Sequence, residues 1–468
     1  MSPLQPHLET LPLELLTRIL ESLPLDCRLA LTSTSSNLRS SLAPLVFQAL
    51  KITSNTQGGR VFEQLADKYG SVITKLHFVA SMPHGRPSDV LASTGNAAHE
   101  QGDLSSPENS AGAENATQNL MTTLARDALT GKSLPNLTTV HLSFDFDFDH
   151  DISNNGQWDG NIWDDPNSIT DESNSIYVFT DPEAPNDVPM KEAKYPWRAL
   201  MAQTWSALCQ NKSITKLIVS DLIPRKTTAF DSDDWRDFLG RLETLELSMW
   251  GGENGAGWEV NTLEGYMAFE ARLGEYFFQH LTRVHRLSFA AYSSCPFGET
   301  EEDHGDDTEH DVPFPLSKED LPCLRSLELH NILVSKKLAE FILSKSATLH
   351  ELRLHECHAS SYDEERTTWA KFFTHFDRNK SQIQELHVTY EQGDPELLFD
   401  DEENKIKKEN EEDKVFSYGT MDDKYGGFVP DDETIREKYE EKRDLDAYHR
   451  LADSVRQRRE GDRSRDDP

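Results

Sequence analysis

The chain has 468 residues, with Lys+Arg 47 against Asp+Glu 82 and a formal net charge of -35. So acidic a surface repels polyanions, which excludes nucleic acid and an anionic membrane as main partners. The hydrophobic fraction of 36% and mean hydropathy of -0.63 are low for one globule of this length, and imply a folded core carrying long polar insertions.

The first predicted element is helical. Leu11, Leu15, Leu16, Ile19, Leu20 and Leu23 recur at helical intervals and form one apolar stripe. Thr10 stands where an N-cap belongs, with Pro12 in the first turn. Pro24 ends this helix and Asp26 is placed to cap the next. A third amphipathic stretch carries Leu38, Leu42, Leu45, Val46 and Leu50, broken and restarted at Pro44. A module this small cannot bury so much leucine within itself, so part of the stripe is expected to face a partner.

Farther along, eight segments share the form apolar-x-x-apolar-x-apolar: 73–78, 137–142, 214–219, 242–247, 284–289, 324–329, 349–354 and 383–388. Alternation over their last four residues reads as strand. Helical patterns at 60–69, 117–130, 197–210, 234–240, 263–280, 335–346 and 364–376 precede most of them. Helix–turn–strand units repeated in one direction predict an α/β fold, a parallel sheet with helices on one side. Successive strand centres stand as close as Leu327 and Leu352 and as far apart as Val140 and Leu217, so the repeat is irregular. A three-layer α/β domain around one parallel sheet is the alternative.

The predicted organisation is an all-α module at 8–52, a repeat domain at 58–390 and an acidic, mixed-charge tail at 391–468. Composition marks 81–116, 145–190 and 299–312 as disordered insertions. Residues 432–459 have helical character with few core residues. They are either a solvated tail or a segment that packs back on the last repeat, and the tail is the preferred reading.

The first module carries more than periodicity. Its spacing L-P-L-E-L-L-x-x-I-L-x-x-L-P-x-D, followed by an S/T-rich turn, N-L-R and P-L-V-F-x-x-L-K-I, resembles the F-box. Leu11, Pro12, Glu14, Leu15, Ile19, Leu20 and Asp26 carry the resemblance, while 29–37 run about a residue out of the usual register. The F-box resemblance implies docking on the Skp adaptor of an SCF-type cullin–RING ubiquitin ligase through Leu11, Pro12, Leu15, Leu16, Ile19, Leu20, Leu23 and Asp26. The repeats look like the divergent leucine-rich-repeat-like solenoid that often follows an F-box, although the asparagine of that consensus is missing. Together these resemblances imply a non-enzymatic substrate-recognition adaptor that presents an unknown substrate protein to the ligase. The alternatives are an F-box scaffold that delivers no substrate, and an unrecognised α/β hydrolase or metal-dependent enzyme.

No nucleophile elbow, phosphate loop, dinucleotide fingerprint or H-E-x-x-H motif occurs, so no catalytic or cofactor-binding residue is assigned. The run Asp145 to Asp151 fails the EF-hand frame, which would place Ile162 where a bidentate glutamate is needed. His77, His141 and His387 lie between apolar strand positions and read as surface residues, not metal ligands. Cys27, Cys209, Cys295, Cys323 and Cys357 are scattered and read as reduced thiols. With no apolar run near the ~18 residues of a membrane span and no signal-like start, the expected location is cytoplasm and/or nucleus. The candidate substrate face is the open side of the sheet, with His77, Lys216, Glu246, Arg286, Glu328, His330, Arg353 and His387, and Trp250 at a strand exit.

Overall fold

The computed structural model describes residues 8, 11–56, 60–81, 120–145, 175–298, 312–361, 367–378, 381–390 and 414–466. The expected insertions at 82–116, 146–174 and 299–311, and the stretch 391–413, lie outside the described residues.

Three helices open the chain: α1 (Leu13–Glu21), α2 (Leu25–Thr34) and α3 (Ser36–Val46). Leu16 and Leu20 meet Leu38 and Leu42 in a small core of their own, flanked by Leu11, Leu31 and Leu45. Helix capping differs from expectation. Pro12 and Pro24 themselves occupy the N-caps of α1 and α2, without side-chain caps. Their fixed φ with an extended ψ already aims the chain into the helix. Asp26 therefore lies inside α2, and Thr10 falls outside the described residues. Ser35 does cap α3, accepting from Asn37 N at 3.1 Å. Helix α3 runs through Pro44, and Leu50 belongs to a strand.

That strand, β1 (Ala49–Thr53), begins a parallel sheet and puts the end of the 8–52 module inside it. After α4 (Arg60–Tyr69) come β2 (Lys75–Ser81), α5 (Thr123–Leu129), β3 (Thr139–Asp145), α6 (Asp187–Lys194), α7 (Pro196–Gln210) and β4 (Lys216–Leu222). There follow α8 (Asp233–Leu239), β5 (Thr244–Met249), α9 (Glu264–Glu270), α10 (Leu273–Tyr276), β6 (Arg286–Ala290) and β7 (Ser326–His330). Next are α11 (Lys336–Ser344), β8 (Glu351–His355), the short β9 (Ala359–Ser360), α12 (Trp369–Arg378) and β10 (Glu385–Thr389). The nine-stranded sheet runs β1-β2-β3-β4-β5-β6-β7-β8-β10, each strand beside its predecessor. The single helix expected over 263–280 is divided into α9, α10 and a 3-10 turn at Phe278–His280.

Two rows of side chains build the core. Leu76, Val140, Leu217, Leu245, Leu287, Leu327 and Leu352 stand in register across the sheet, and all are buried. Phe78, Leu142, Val219, Leu247, Phe289, Leu329, Leu354 and Val388 form a second buried row two residues on. Alternate side chains point to opposite faces of a strand, so helices cover one face, and among the described residues the other is left open.

The backbone repeats as regularly as the side chains. The carbonyl before each strand accepts two N–H groups from the next unit. Thr74 accepts from Thr138 and Thr139, Glu243 from His285 and Arg286, and Arg325 from His350 and Glu351. Past the strand, Asp221, Asn331 and Glu356 turn the chain with positive φ at the same position of their units. Asp and Asn tolerate that conformation best.

Two expectations of disorder are corrected. Residues 175–190 are packed: Ile176 and Phe179 are buried, and two arginines hold the segment. Arg198 forms a two-pronged pair with Glu183, at 2.5 and 3.0 Å, and Arg225 donates to the Asp181 carbonyl at 3.2 Å. Val312 is likewise buried, bridged to Phe297.

The tail reading is corrected as well. Residues 414–466 form β11 (Tyr418–Met421), β12 (Phe428–Pro430), α13 (Asp432–Glu441) and α14 (Arg443–Asp466). β11 pairs with β9 and β12 in a second, three-stranded sheet. Leu451 and Ala447 of α14 are buried, and Tyr448 lies 5.5 Å from the Phe373 ring of α12. Asp444 accepts from Ala370 N and from the Tyr418 hydroxyl, each at 2.7 Å. The aromatic face of α12 would otherwise be wet, which is why this charged helix packs back. No helix among the described residues is long and apolar enough to cross a membrane.

His358 ties this segment to the sheet, with Nδ1 2.8 Å from Ser417 Oγ, Nε2 3.1 Å from Asn331 Oδ1 and its ring against Phe428. Burial lowers its pKa to about 3. Below its ordinary value of 6.5 the unfolded chain takes up a proton that the folded chain refuses, so stability falls as pH drops. Between pH 6.5 and 5 the loss from this residue is about 2 kcal/mol, and His358→Gln should flatten that slope in chemical denaturation. Leu451→Ala should cost about 2–4 kcal/mol by the same measurement; a solvated tail would show no change.

Candidate functional site

Two surfaces collect the residues singled out above. On the helical module, α1 divides its stripe. Leu16 and Leu20 are turned into the small core, whereas Leu15 is 47% exposed, about a third of a turn round the helix from them. Pro12 is exposed beside it, and Leu11, Ile19 and Leu23 are half-buried. Leu16 and Leu20 therefore stabilise the module from within and present no surface, a correction that follows from the 3.6-residue period. The Asp26 side chain lies outside what is described.

The second surface is the open face of the sheet. Lys51, His77, His141, Ile218, Glu246, Ser288, Glu328, Arg353 and His387 form a single transverse row, each opposite the next. Lys216 and Arg286 stand in the row before it, and His330 in the row after. Parallel in-register pairing thus brings together eight of the nine residues expected on this face.

Trp250 is the exception. It packs at 5.1 Å on Phe179 beneath the strand exit, and its carbonyl faces the Tyr266 hydroxyl at 3.3 Å. Tyr292 and Tyr390 are also engaged. The Tyr292 ring covers Gly251 so closely that a Cβ there would overlap it, and the Tyr390 hydroxyl donates to the Cys357 carbonyl at 2.9 Å. The aromatic residues at strand exits close the structure instead of projecting from it.

Charges on the open face are paired locally. Lys216 Nζ lies 2.5 Å from Glu246 Oε1. Glu351 accepts from Ser326 Oγ at 2.6 Å and from Arg353 Nε at 2.7 Å, and these bonds hold its carboxyl below the usual range despite burial. The His77 and His141 rings stack at 4.3 Å, with Nε2 atoms 3.4 Å from Ser143 Oγ and 2.7 Å from Ser220 Oγ. Burial lowers the pKa of both, and His141 adds to the effect on His77.

A second stack joins His330 to His355 at 4.4 Å, with Glu328 Oε1 2.9 Å from His330 Nε2. The signal for it lies in the units themselves: aligning Leu329 with Leu354 places His330 opposite His355. Among the described residues Glu328, His330 and His355 are the one group of three with ligating atoms close enough to share a metal ion. Comparison with models of known families and with curated proteins finds no match to this chain.

The first histidine stack should be measurable by a double-mutant cycle. His77→Ala and His141→Ala should show a coupling of about 0.5–1.5 kcal/mol in unfolding free energy, and additive losses would mean that the rings merely adjoin.

Proposed function

We propose that the chain is a substrate-recognition adaptor of an SCF-type cullin–RING ubiquitin ligase. The N-terminal helices would dock on the Skp adaptor as an F-box, and the repeat domain, read as a divergent leucine-rich-repeat-like solenoid, would hold a substrate protein on its open face. The chain itself supplies proximity, with the chemistry left to the RING subunit and its conjugating enzyme.

The observation that carries this reading is the exposure of Leu15 beside Pro12, on a helix whose inner leucines are already satisfied. A large aliphatic side chain left out beside half-buried Leu11, Ile19 and Leu23 marks a surface that gains from being covered. Nine parallel strands laid side by side in chain order support the solenoid half of the proposal. The open face, with half-exposed paired charges and few free aromatics, suits a polar substrate surface.

Leu15→Asp separates docking from folding. Losing one buried leucine and placing a charge in its pocket should weaken Skp binding by at least about tenfold, since covering such a side chain is worth about 1.5–3 kcal/mol. The melting temperature should stay within a degree or so, because surface substitutions rarely move stability. Leu20→Asp should unfold the module outright. A pulldown in which the intact chain fails to capture the Skp adaptor, or in which Leu15→Asp binds as tightly as the original, rejects the proposal.

A further inference from the structure

Strands β7 and β8 bring three ligating side chains together on the open face. Glu328 and His330 stand two residues apart on β7 and so share a face, and His330 is the register partner of His355 on β8. Glu328 Oε1 lies 2.9 Å from His330 Nε2 and 3.8 Å from His355 Nε2, and the ligating atoms of the three residues all fall within 4.8 Å of one another.

His355 is held from behind. Its Nδ1 lies 2.5 Å from Thr389 Oγ1 on β10, while its Nε2 is shielded from solvent and has no hydrogen-bond partner. The 3.8 Å gap to Glu328 is too long for a hydrogen bond. In the tautomer that donates its Nδ1 proton to Thr389, the Nε2 lone pair faces a carboxylate oxygen, and two electron-rich atoms confront each other. A cation between them would satisfy both.

We propose that Glu328, His330 and His355 bind one divalent transition-metal ion, with zinc the best fit, through Glu328 Oε1 and the two Nε2 atoms. Two imidazoles and a carboxylate are a ligand set that zinc favours, and bonds of about 2.0–2.2 Å in a tetrahedron require ligand atoms roughly 3.3 Å apart. The separations from Glu328 Oε1, 2.9 and 3.8 Å, bracket that value, and the ligating atoms of the two histidines lie within 4.8 Å of each other. Thr389 acts as the outer partner that fixes the His355 ring. Arg353, the register partner of Glu328, is drawn to Glu351, so the nearest guanidinium is engaged elsewhere. The fourth position faces the open side of the sheet, where water or a side chain of a bound protein completes the shell.

The His77–His141 stack supplies the internal contrast. It has the same ring geometry, but its Nε2 atoms face serine hydroxyls, and no carboxylate completes a ligand set there. The metal site does not depend on the adaptor reading, since it requires no partner chain.

The test uses the full chain stripped of metal, titrated with Zn²⁺ in competition with a chromophoric chelator and with Co²⁺ followed by its visible absorption. One tight equivalent is expected. Glu328→Gln and His355→Ala should each weaken it at least tenfold and abolish the tetrahedral Co²⁺ bands, while His141→Ala leaves both unchanged. Glu328→Gln keeps the side-chain shape and both positions lie off the core, so a metal-free melting curve should match the parent. If the parent chain binds no tight equivalent, or if both substitutions leave affinity and stoichiometry intact, only adventitious surface ions are present and the assignment fails.

Discussion

The whole molecule depends on each strand lying in parallel register beside the one before it. Two apolar rows must coincide across nine strands, and a slip by one residue would turn every leucine of a strand out to solvent. Carbonyls such as those of Thr74, Thr138, Thr215 and Glu243 lock that register from outside the strands, each accepting from two residues of the next unit. The length of chain between strands is then almost free to vary, because loop-closure entropy grows only slowly with length. This is how so irregular a repeat supports so regular a sheet.

A sheet built this way has two exposed ends, and an open edge invites unwanted pairing. At the first edge, β1 follows directly from α3, and Phe47 stacks on Tyr69 of α4 at 4.3 Å to join the helical module to the sheet. At the other, α14 lies along α12, with Arg458 donating to the Ser381 carbonyl and Arg459 3.6 Å from Glu385 of β10. The terminal segments are thus part of the same construction, as the ends of stacked repeats generally must be.

The same register decides the chemistry of the open face. Parallel in-register strands set equivalent positions side by side, so like residues accumulate: His77 against His141, His330 against His355. Neighbouring carboxylates and hydroxyls then determine what each pair becomes. Beside Ser143 and Ser220 the imidazoles are hydrogen-bonded, whereas beside Glu328 one nitrogen of His355 is left without a partner. Cross-strand pairing, which stabilises the sheet, also distinguishes one patch of its surface from another.

Local pattern was enough for eight of the nine strands, for the helix at Arg60–Tyr69 and for the open-face residues, because a period of two or of 3.6 is written into neighbouring positions. It was not enough for β1, whose Leu50 read equally well as the end of a helical stripe until β2 lay beside it. Nor could it show that Ala447, Leu451 and Val455, diluted among charges, face the aromatic side of α12. Residues 175–190 needed Arg198 and Arg225 from later in the chain. The sequence by itself determined the repeating units and which face of each strand is apolar. Only the tertiary structure decided which leucines of α1 stay outside, how the last helix packs and which histidines meet a carboxylate, because those outcomes depend on pairings between segments far apart in the chain.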